Sequence, residues 1–582
     1  MYPDSLLLQV TKPARYTGGE WNIIRKNWDT AALRIALGYP DLYEIGMSNL
    51  AIHILYTLFN AQQATLCERF FSPWTDMAAV LRREGEPLRS LESGRPLKEF
   101  DVLGFSLGYE LTFTNLLNTL DLAQIPLWGK DRTGVHPLVI AGGSAVFNPE
   151  PVADFIDLFV IGEAENLLPG LVSLFKEHRA SGRLAKKELL QAAASLPGFY
   201  VPSLPPARVK RQIVPRLPPA PVRPIVPYIE IVHDRAAVEI ARGCQRGCRF
   251  CSAGVIYRPV RERPLDEALS TVDEVIAGTG YDEVSLVSLS SGDYSRIDEL
   301  VAGIAARHGD SIAISLPSLR LDEHSLNLVA SLPGRRKSGL TFAPEAASPR
   351  LQRVINKHIP EDELLATAEL AFSRGWTGLK LYFMLGLPTE TDGDVAYLIE
   401  LVRKVQKAGR SAPGRTPQIR LTLATFVPKA HTPFQWTAQA DEETLRRRHE
   451  ILKKGLGRRV KLSYTDARVS LLEAVMSRGD RRLAEVIYRA WQAGATFDGW
   501  SECFNWDIWQ QAFAAAGVSP EFYARRERPL DEPLPWAHID VGLSADFLKS
   551  EYRRALGAEL TPYCRTDGCN LCGLEGQSLG CC

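Results

Sequence analysis

Three cysteines, Cys244, Cys248 and Cys251, stand in the stretch Ala-Arg-Gly-Cys-Gln-Arg-Gly-Cys-Arg-Phe-Cys-Ser-Ala-Gly from Ala241 to Gly254, spaced C-x3-C-x2-C among glycines. Thiolates this close on one loop can each bind one iron of a cubane iron–sulfur cluster. Three ligands leave the fourth iron without a protein ligand. An open iron is what a cluster needs to act on a bound molecule rather than only pass electrons. Zinc is the competing reading, but structural zinc sites use four N or S ligands, often as two C-x2-C pairs, and no fourth ligand lies close by in sequence. A disulfide with a spare thiol fits poorly in a chain that starts Met1-Tyr-Pro-Asp-Ser, without the basic-then-apolar pattern of an export signal.

The elements that must position this loop are readable in outline. With 582 residues the chain has room for three or four domains with sizeable cores. Its 68 Lys and Arg balance 68 Asp and Glu, so bulk charge points to neither nucleic acid nor an anionic membrane. No apolar run approaches the length of a membrane span, and no membrane partner is expected. Five of the ten cysteines crowd the region from Cys564 onward, while Cys67 and Cys503 stand alone. Such clustering suggests metal ligation in a reducing cytoplasm.

Residues 1–30 read as an arm or cap. In 31–196, apolar strands at Ala32–Leu37, Val102–Leu107, Leu138–Gly143 and Leu158–Gly162 alternate with helical sequence such as Asn49–Asn60 and Phe113–Ala123. That alternation predicts a doubly wound, Rossmann-like parallel sheet with ligands at the carboxyl ends of its strands. Prolines crowd 197–230, which reads as a stiff connector outside any core. From 231 to 440 six strand–helix units follow, with strands at Ala237–Ile240, Val284–Leu289, Ile312–Leu316, Gly339–Ala343, Leu379–Met384 and Arg420–Phe426. Six such units predict a partial (β/α)6 barrel whose chemistry gathers at the strand ends. Residues 441–560 read as a mainly helical, locally basic extension with an aromatic run from Trp491 to Trp509. A cysteine-rich tail, 561–582, closes the sequence.

The cysteine spacing, with Phe250 before the last thiol, resembles the signature of the radical S-adenosylmethionine (radical SAM) superfamily. The resemblance implies a 4Fe-4S cluster on Cys244, Cys248 and Cys251, S-adenosylmethionine as co-substrate, and an electron donor such as flavodoxin or ferredoxin. It also implies S-adenosylmethionine contacts at the strand ends: Ser291, Gly292 and Asp293 where the family has Gly-Gly-Glu, then Arg320 and Glu345. Lys429 and His431, at the end of the sixth strand, could reach the centre. Gly386-Leu-Pro-Thr-Glu-Thr391 resembles a turn of the cobalamin-linked members.

The first domain is similar to cobalamin-binding domains. Asp41-x-Tyr43-x-x-Gly46 stands where that family often has D-x-H-x-x-G, so Tyr43 rules out an imidazole lower ligand there. Ser106, the Gly142-Gly143 pair, and Gly162-Glu163 of the Gly-Glu-x-Glu ending match the remaining cofactor loops. The implied function is radical modification of an unidentified substrate, with C-methylation as one outcome. Alternatives are a radical enzyme without cobalamin and a non-catalytic cluster-binding partner protein. A separately encoded partner domain and RNA are further partners to consider. In the tail, Cys564, Cys569 and Cys572 could hold zinc or a second cluster.

Overall fold

The computed structural model describes residues 2–180, 186–205, 207–318, 325–328, 340–410, 418–457, 460–564 and 566–574. Strands β1 (Leu33–Tyr39), β2 (Thr65–Phe71), β3 (Val102–Ser106), β4 (Leu138–Gly142), β5 (Leu158–Val160) and β6 (Phe199–Tyr200) form one sheet in the order β2-β1-β3-β4-β5-β6. All neighbours are parallel except β5 and β6. Strand order reverses between β1 and β3, which opens a crevice at the carboxyl ends. β2 escapes the sequence pattern because Glu68 and Arg69 sit inside it, yet all seven of its residues are buried. Arg69 is balanced there by Glu20 at 2.9 Å and Glu92 at 2.6 Å.

The proline-rich stretch is not a free connector. Phe199 and Tyr200 add β6 to the sheet, and β7 (Val209–Lys210) pairs with Ile539–Asp540 from far down the chain. Val201, Val209, Val214 and Ile225 are buried. The prolines set the local extended path, while the apolar residues between them supply the packing. The first residues likewise act as a cap, with Tyr2, Leu6, Leu7 and Tyr16 in the core.

The second domain begins with β8 (Ala236–Glu239). A short antiparallel pair, β9 (Ala241–Arg242) and β10 (Arg261–Glu262), then brackets the cysteine loop. β8 pairs in parallel with β11 (Glu283–Val287), and β11 with β12 (Ala313–Ser315). A four-stranded parallel sheet follows: β13 (Leu340–Glu345), β14 (Gly378–Leu385), β15 (Gln418–Thr425) and β16 (Val460–Tyr464). Along β14 and β15 every second residue is buried against the helices, which leaves the alternate set on the concave face. β16 adds a strand within the mainly helical extension expected after residue 440. Helix Glu442–Leu456 leads into a strand that widens the barrel sheet beyond six units.

Helices Ala467–Arg478, Leu483–Gln492 and Trp506–Ala515 share one core with the first domain. The aromatic run is structural: Phe497 and Trp509 are buried, and Trp74 packs on Phe497 and Trp500. No helix among the described residues is long and apolar enough to cross a membrane.

Candidate functional site

The cysteine loop is built by residues that tolerate few substitutes. Gly243 has φ +91°, and a Cβ there would lie 2.3 Å from the Pro259 carbonyl oxygen and 2.4 Å from that of Tyr257. Only glycine satisfies both demands. Asn356 donates to the Gly247 carbonyl at 3.2 Å. Arg249, fully buried, donates to the Arg353 and Val354 carbonyls and is paired with Glu551 at 3.0 Å. Cys251 caps the helix Ser252–Ile256, its Sγ accepting from Gly254 N–H at 3.3 Å.

All three thiols are unpaired and partly buried. Burial pushes the Cys248 thiol up to about 12, with Cys251, Cys244 and Glu345 adding to the effect and Lys357 opposing it. Cys251 is also raised, again chiefly by burial. Thiols this reluctant to ionise alone are converted to thiolates by a bound cationic centre. Among the described residues no three Cys, His, Asp or Glu groups converge on a single-ion site. The donor set of this loop, three soft sulfurs and no fourth ligand, fits a multi-iron cluster in which each thiolate meets its own iron.

The expected S-adenosylmethionine contacts fare unevenly. The Asp293 carboxylate is engaged by Arg246 and by Ser290 Oγ at 2.7 Å, so it is no free acceptor for an ammonium group. Ser291 is wholly buried and donates to the carbonyls of Leu286 and Pro317, which makes it and Gly292 part of a structural turn. Glu345 ends β13 at φ +67°, pairs with Lys357 at 3.3 Å, and is raised by burial. Both Glu345 and Lys357 act electrostatically on Cys248, so this pair borders the cysteine loop. Arg320 lies outside the described residues.

A cavity of about 360 Å³ joins the two domains. Ser106, Gly142, Gly143, Gly162 and Glu163, five of the eight expected cobalamin contacts, line it. Leu33, Ile35 and Leu37 of β1 face helices Leu50–Ala61 and Leu168–Ala180 across its apolar part. It reaches the barrel at Glu239, Arg242 and Gly243, the last adjoining Cys244 in the chain, and at Val287 to Leu289, where β11 ends. The carboxyl ends of both sheets therefore open into one space.

Asp41, Tyr43 and Gly46 are not in its lining. Tyr43 is buried and donates to Glu20 at 3.0 Å, Asp41 accepts from Trp500 Nε1 at 3.0 Å, and a Cβ on Gly46 would strike the Phe71 ring at 2.2 Å. That loop is consumed by packing against β2 and the N-terminal cap. Gly143 and Gly162 are required for a different reason than ligand approach, since a Cβ would come within 2.4 Å of the Leu107 carbonyl and 2.3 Å of the Gln212 carbonyl.

Sequence reasoning missed the residues that weld the domains beside the cysteines. Arg242 binds Glu239 through two nitrogens at 2.8 and 2.9 Å and Glu165 at 2.7 Å, and Arg261 binds Glu163 at 2.7 Å. Their position flanking the loop was visible, but the partners that cross to the first domain, Glu165 and Glu163, lie 77 and 98 positions away in sequence. Lys429 and His431 also join domains rather than reach the centre. Lys429 pairs with Glu110 at 2.9 Å and Glu473 at 2.8 Å, and His431 Nε2 lies 2.8 Å from the Phe147 carbonyl. In the 386–391 turn, Glu390 accepts from Gly386 N–H and pairs with Arg448, a structural arrangement.

The tail does not gather its described thiols into a single-ion site. Cys572 turns into the core beside Leu574, while Cys569 is exposed and Cys564 half-buried. Cys581 and Cys582 lie outside the described residues.

Residues 51–202 match the family model described as radical SAM proteins, N-terminal, and residues 238–402 match that of the radical SAM superfamily. An uncharacterised protein of Methanocaldococcus jannaschii is 28% identical over 462 residues, covering 78% of this chain and 90% of that protein. A tRNA-2-methylthio-N(6)-dimethylallyladenosine synthase of Thermotoga petrophila is 26% identical over 263 residues, or 42% of this chain and 56% of the synthase. The ribosomal protein uS12 methylthiotransferase RimO of Salinispora tropica is 31% identical over 242 residues, or 38% of this chain and 46% of the enzyme. The chain thus spans about half the length of these two relatives. The radical S-adenosylmethionine methyltransferase TsrM of Kitasatospora setae, solved with cobalamin and a 4Fe-4S cluster bound, has a TM-score of 0.49 at 13% identity, over 83% of this chain and 99% of that one. Residues 238–402, which carry Cys244, Cys248 and Cys251, are a radical SAM domain behind the N-terminal domain of such proteins, and the chain is a radical SAM protein.

Proposed function

We propose that this radical SAM enzyme holds a 4Fe-4S cluster on Cys244, Cys248 and Cys251, binds cobalamin in the interdomain cavity, and methylates carbon on its substrate. The observation that carries the reading is the cavity itself, which runs from the apolar face of β1 to Gly243 beside the first cysteine. When bound, the cluster supplies the electron that splits S-adenosylmethionine and cobalamin supplies a methyl group.

The chain's own residues then hold, shield and align. Ser106 and Gly142 line the cavity, and its aliphatic wall suits an aromatic tail removed from water. The Arg242 bridge to Glu165 and Glu239 fixes the two strand-end rims against each other, so that two bound groups would keep one separation. Tyr43 is held by Glu20 and is not offered to cobalt. The electron comes from an external donor such as a flavodoxin or ferredoxin. The methylthiotransferase relatives support a group-transfer reaction.

Anaerobic purification after expression with cobalamin tests this. Four irons and about one cobalt per chain are expected, and the Cys244/Cys248/Cys251→Ala variant should lose the irons and keep cobalt. Iron without cobalt in the wild type would leave a radical enzyme that needs no cobalamin. Failure of the reduced protein to cleave S-adenosylmethionine would leave a non-catalytic partner protein.

A further inference from the structure

The concave face of the four-stranded barrel sheet carries a row of cations. In register, Thr341 stands beside Lys380, Lys380 beside Arg420, and Arg420 beside Lys461. Their strand neighbours Leu379, Leu381, Ile419 and Leu421 are buried against the helix layer, so the three cations occupy the opposite, lumenal face. Neighbouring strands lie about 4.8 Å apart, so the row spans about 10 Å. Lys380 is half-buried with its ammonium 4.7 Å from the Tyr382 ring centre, while Arg420 and Lys461 are exposed.

Among the described residues none of the three has an acidic partner. Like charges on directly opposed strand positions repel, so a face with nothing to bind gains by interleaving acids. The carboxylates on strand faces turned to the lumen are already committed, Glu239 to Arg242, Glu283 to Arg235 and Glu345 to Lys357. The row above is neutral and hydroxyl-bearing, with Tyr382, Thr422 and Ser463 in register. The same face of the three-stranded sheet carries Ala237, Ser285 and Ser315 in register. The four-stranded wall therefore presents a row of positive charge with no acid paired to it among the described residues.

Lys380 lies five positions before the end of β14, roughly 16 Å below the strand tips at about 3.3 Å per residue. It is too deep to serve a group held at the cysteine loop and well placed to hold a remote part of a substrate that reacts there. We propose that the substrate bears phosphates, as a nucleotide either free or within an RNA strand, and that these dock on Lys380, Arg420 and Lys461. Three cations over such a span exceed what one carboxylate can match, and the Arg420 fork suits phosphate oxygens. Tyr382 offers a ring face beside them. The inference rests on the radical SAM reading above and adds to it that the substrate enters the barrel lumen.

Binding of a fluorescent ten-nucleotide RNA to the full, anaerobically purified chain, with inorganic pyrophosphate as competitor, tests it. The wild type should bind RNA, pyrophosphate or both, and RNA affinity should fall with salt. K380Q/R420Q/K461Q should weaken binding about tenfold or more and reduce the salt slope by about 2, at about 0.7 per lost contact. The charge-keeping K380R/R420K/K461R should keep the wild-type salt slope and lose less affinity than the glutamine variant. Competition by pyrophosphate assigns a small phosphorylated substrate, and RNA binding without competition assigns a strand. A wild type that binds neither probe overturns the proposal, as does a folded triple variant, judged by iron content and melting, that binds like the wild type. Should the triple variant not fold, K461Q at the exposed edge is read instead, where unchanged affinity and salt slope overturn it. The readout needs neither cobalt nor S-adenosylmethionine turnover, so it can fail while the cofactor counts hold, and hold while they fail.

Discussion

Arg249, in the middle of the cysteine loop, donates its Nε–H to Glu551 at 3.0 Å, across 302 positions of sequence. Both side chains are almost entirely shielded from water. Thr561 Oγ1 donates to the same carboxylate and accepts from Arg249, so the loop is fastened from behind by the helix Ala545–Leu556 and the segment after it.

Breaking this pair leaves a buried guanidinium uncompensated, which is the strongly destabilising way to lose an ion pair. Glu551→Ala is expected to destabilise the protein by about 3–5 kcal/mol. Iron per chain should fall with it, because the loop loses its backing. Glu551→Gln keeps an acceptor and should lose less of both. Thermal melting and iron analysis on the same samples check the order wild type, Gln, Ala.

Gly104 borders the interdomain cavity with only Leu37 Cδ1 at 3.6 Å and the Ala36 carbonyl at 3.8 Å near the position of a Cβ. A side chain there enters the cavity rather than the backbone. Gly104→Leu should lower cobalt per chain about tenfold, equivalent to about 1.4 kcal/mol, while iron stays at the wild-type count. Unchanged cobalt would show that cobalamin is held elsewhere.

His431 is held neutral down to about 4, chiefly by burial, with His538 and Arg211 adding to the effect. Its unfolded value is near 6.5, so the unfolded chain takes up a proton first as pH falls. Stability from this group is complete above about 6.5 and is lost as pH drops toward 4, by about 3 kcal/mol in all. His431→Gln removes that contribution, and its melting temperature should fall less steeply than the wild type's between pH 6.5 and 4.5. Parallel curves would remove His431 as a source of the acid sensitivity.

The sequence was most legible where structure is local. The cysteine spacing is complete within eight residues, and strands such as Leu138–Gly142 and Gly378–Leu385 announce themselves by apolar content or by alternation. β2 was hidden because Glu68 and Arg69 look like surface residues until Glu92, Glu20 and Ser90 are brought to them. β16 was hidden in a basic stretch whose strand character depends on pairing with β15. Asp41, Tyr43 and Gly46 matched a binding pattern in one dimension, but Glu20, Trp500 and Phe71 claim them in three. The cavity and the Arg242 bridge depend on two domains meeting, which no spacing within either one encodes.

The cysteine loop is gripped from the front by Arg242 on Glu165 and from the rear by Arg249 on Glu551. On a translating ribosome the front grip can form early, but the rear one must await residues made 302 positions after Arg249. At about 5–20 residues per second that interval is roughly 15–60 s. During it the loop is held from one side only, so its rear fastening is the last part of the cysteine site to be made.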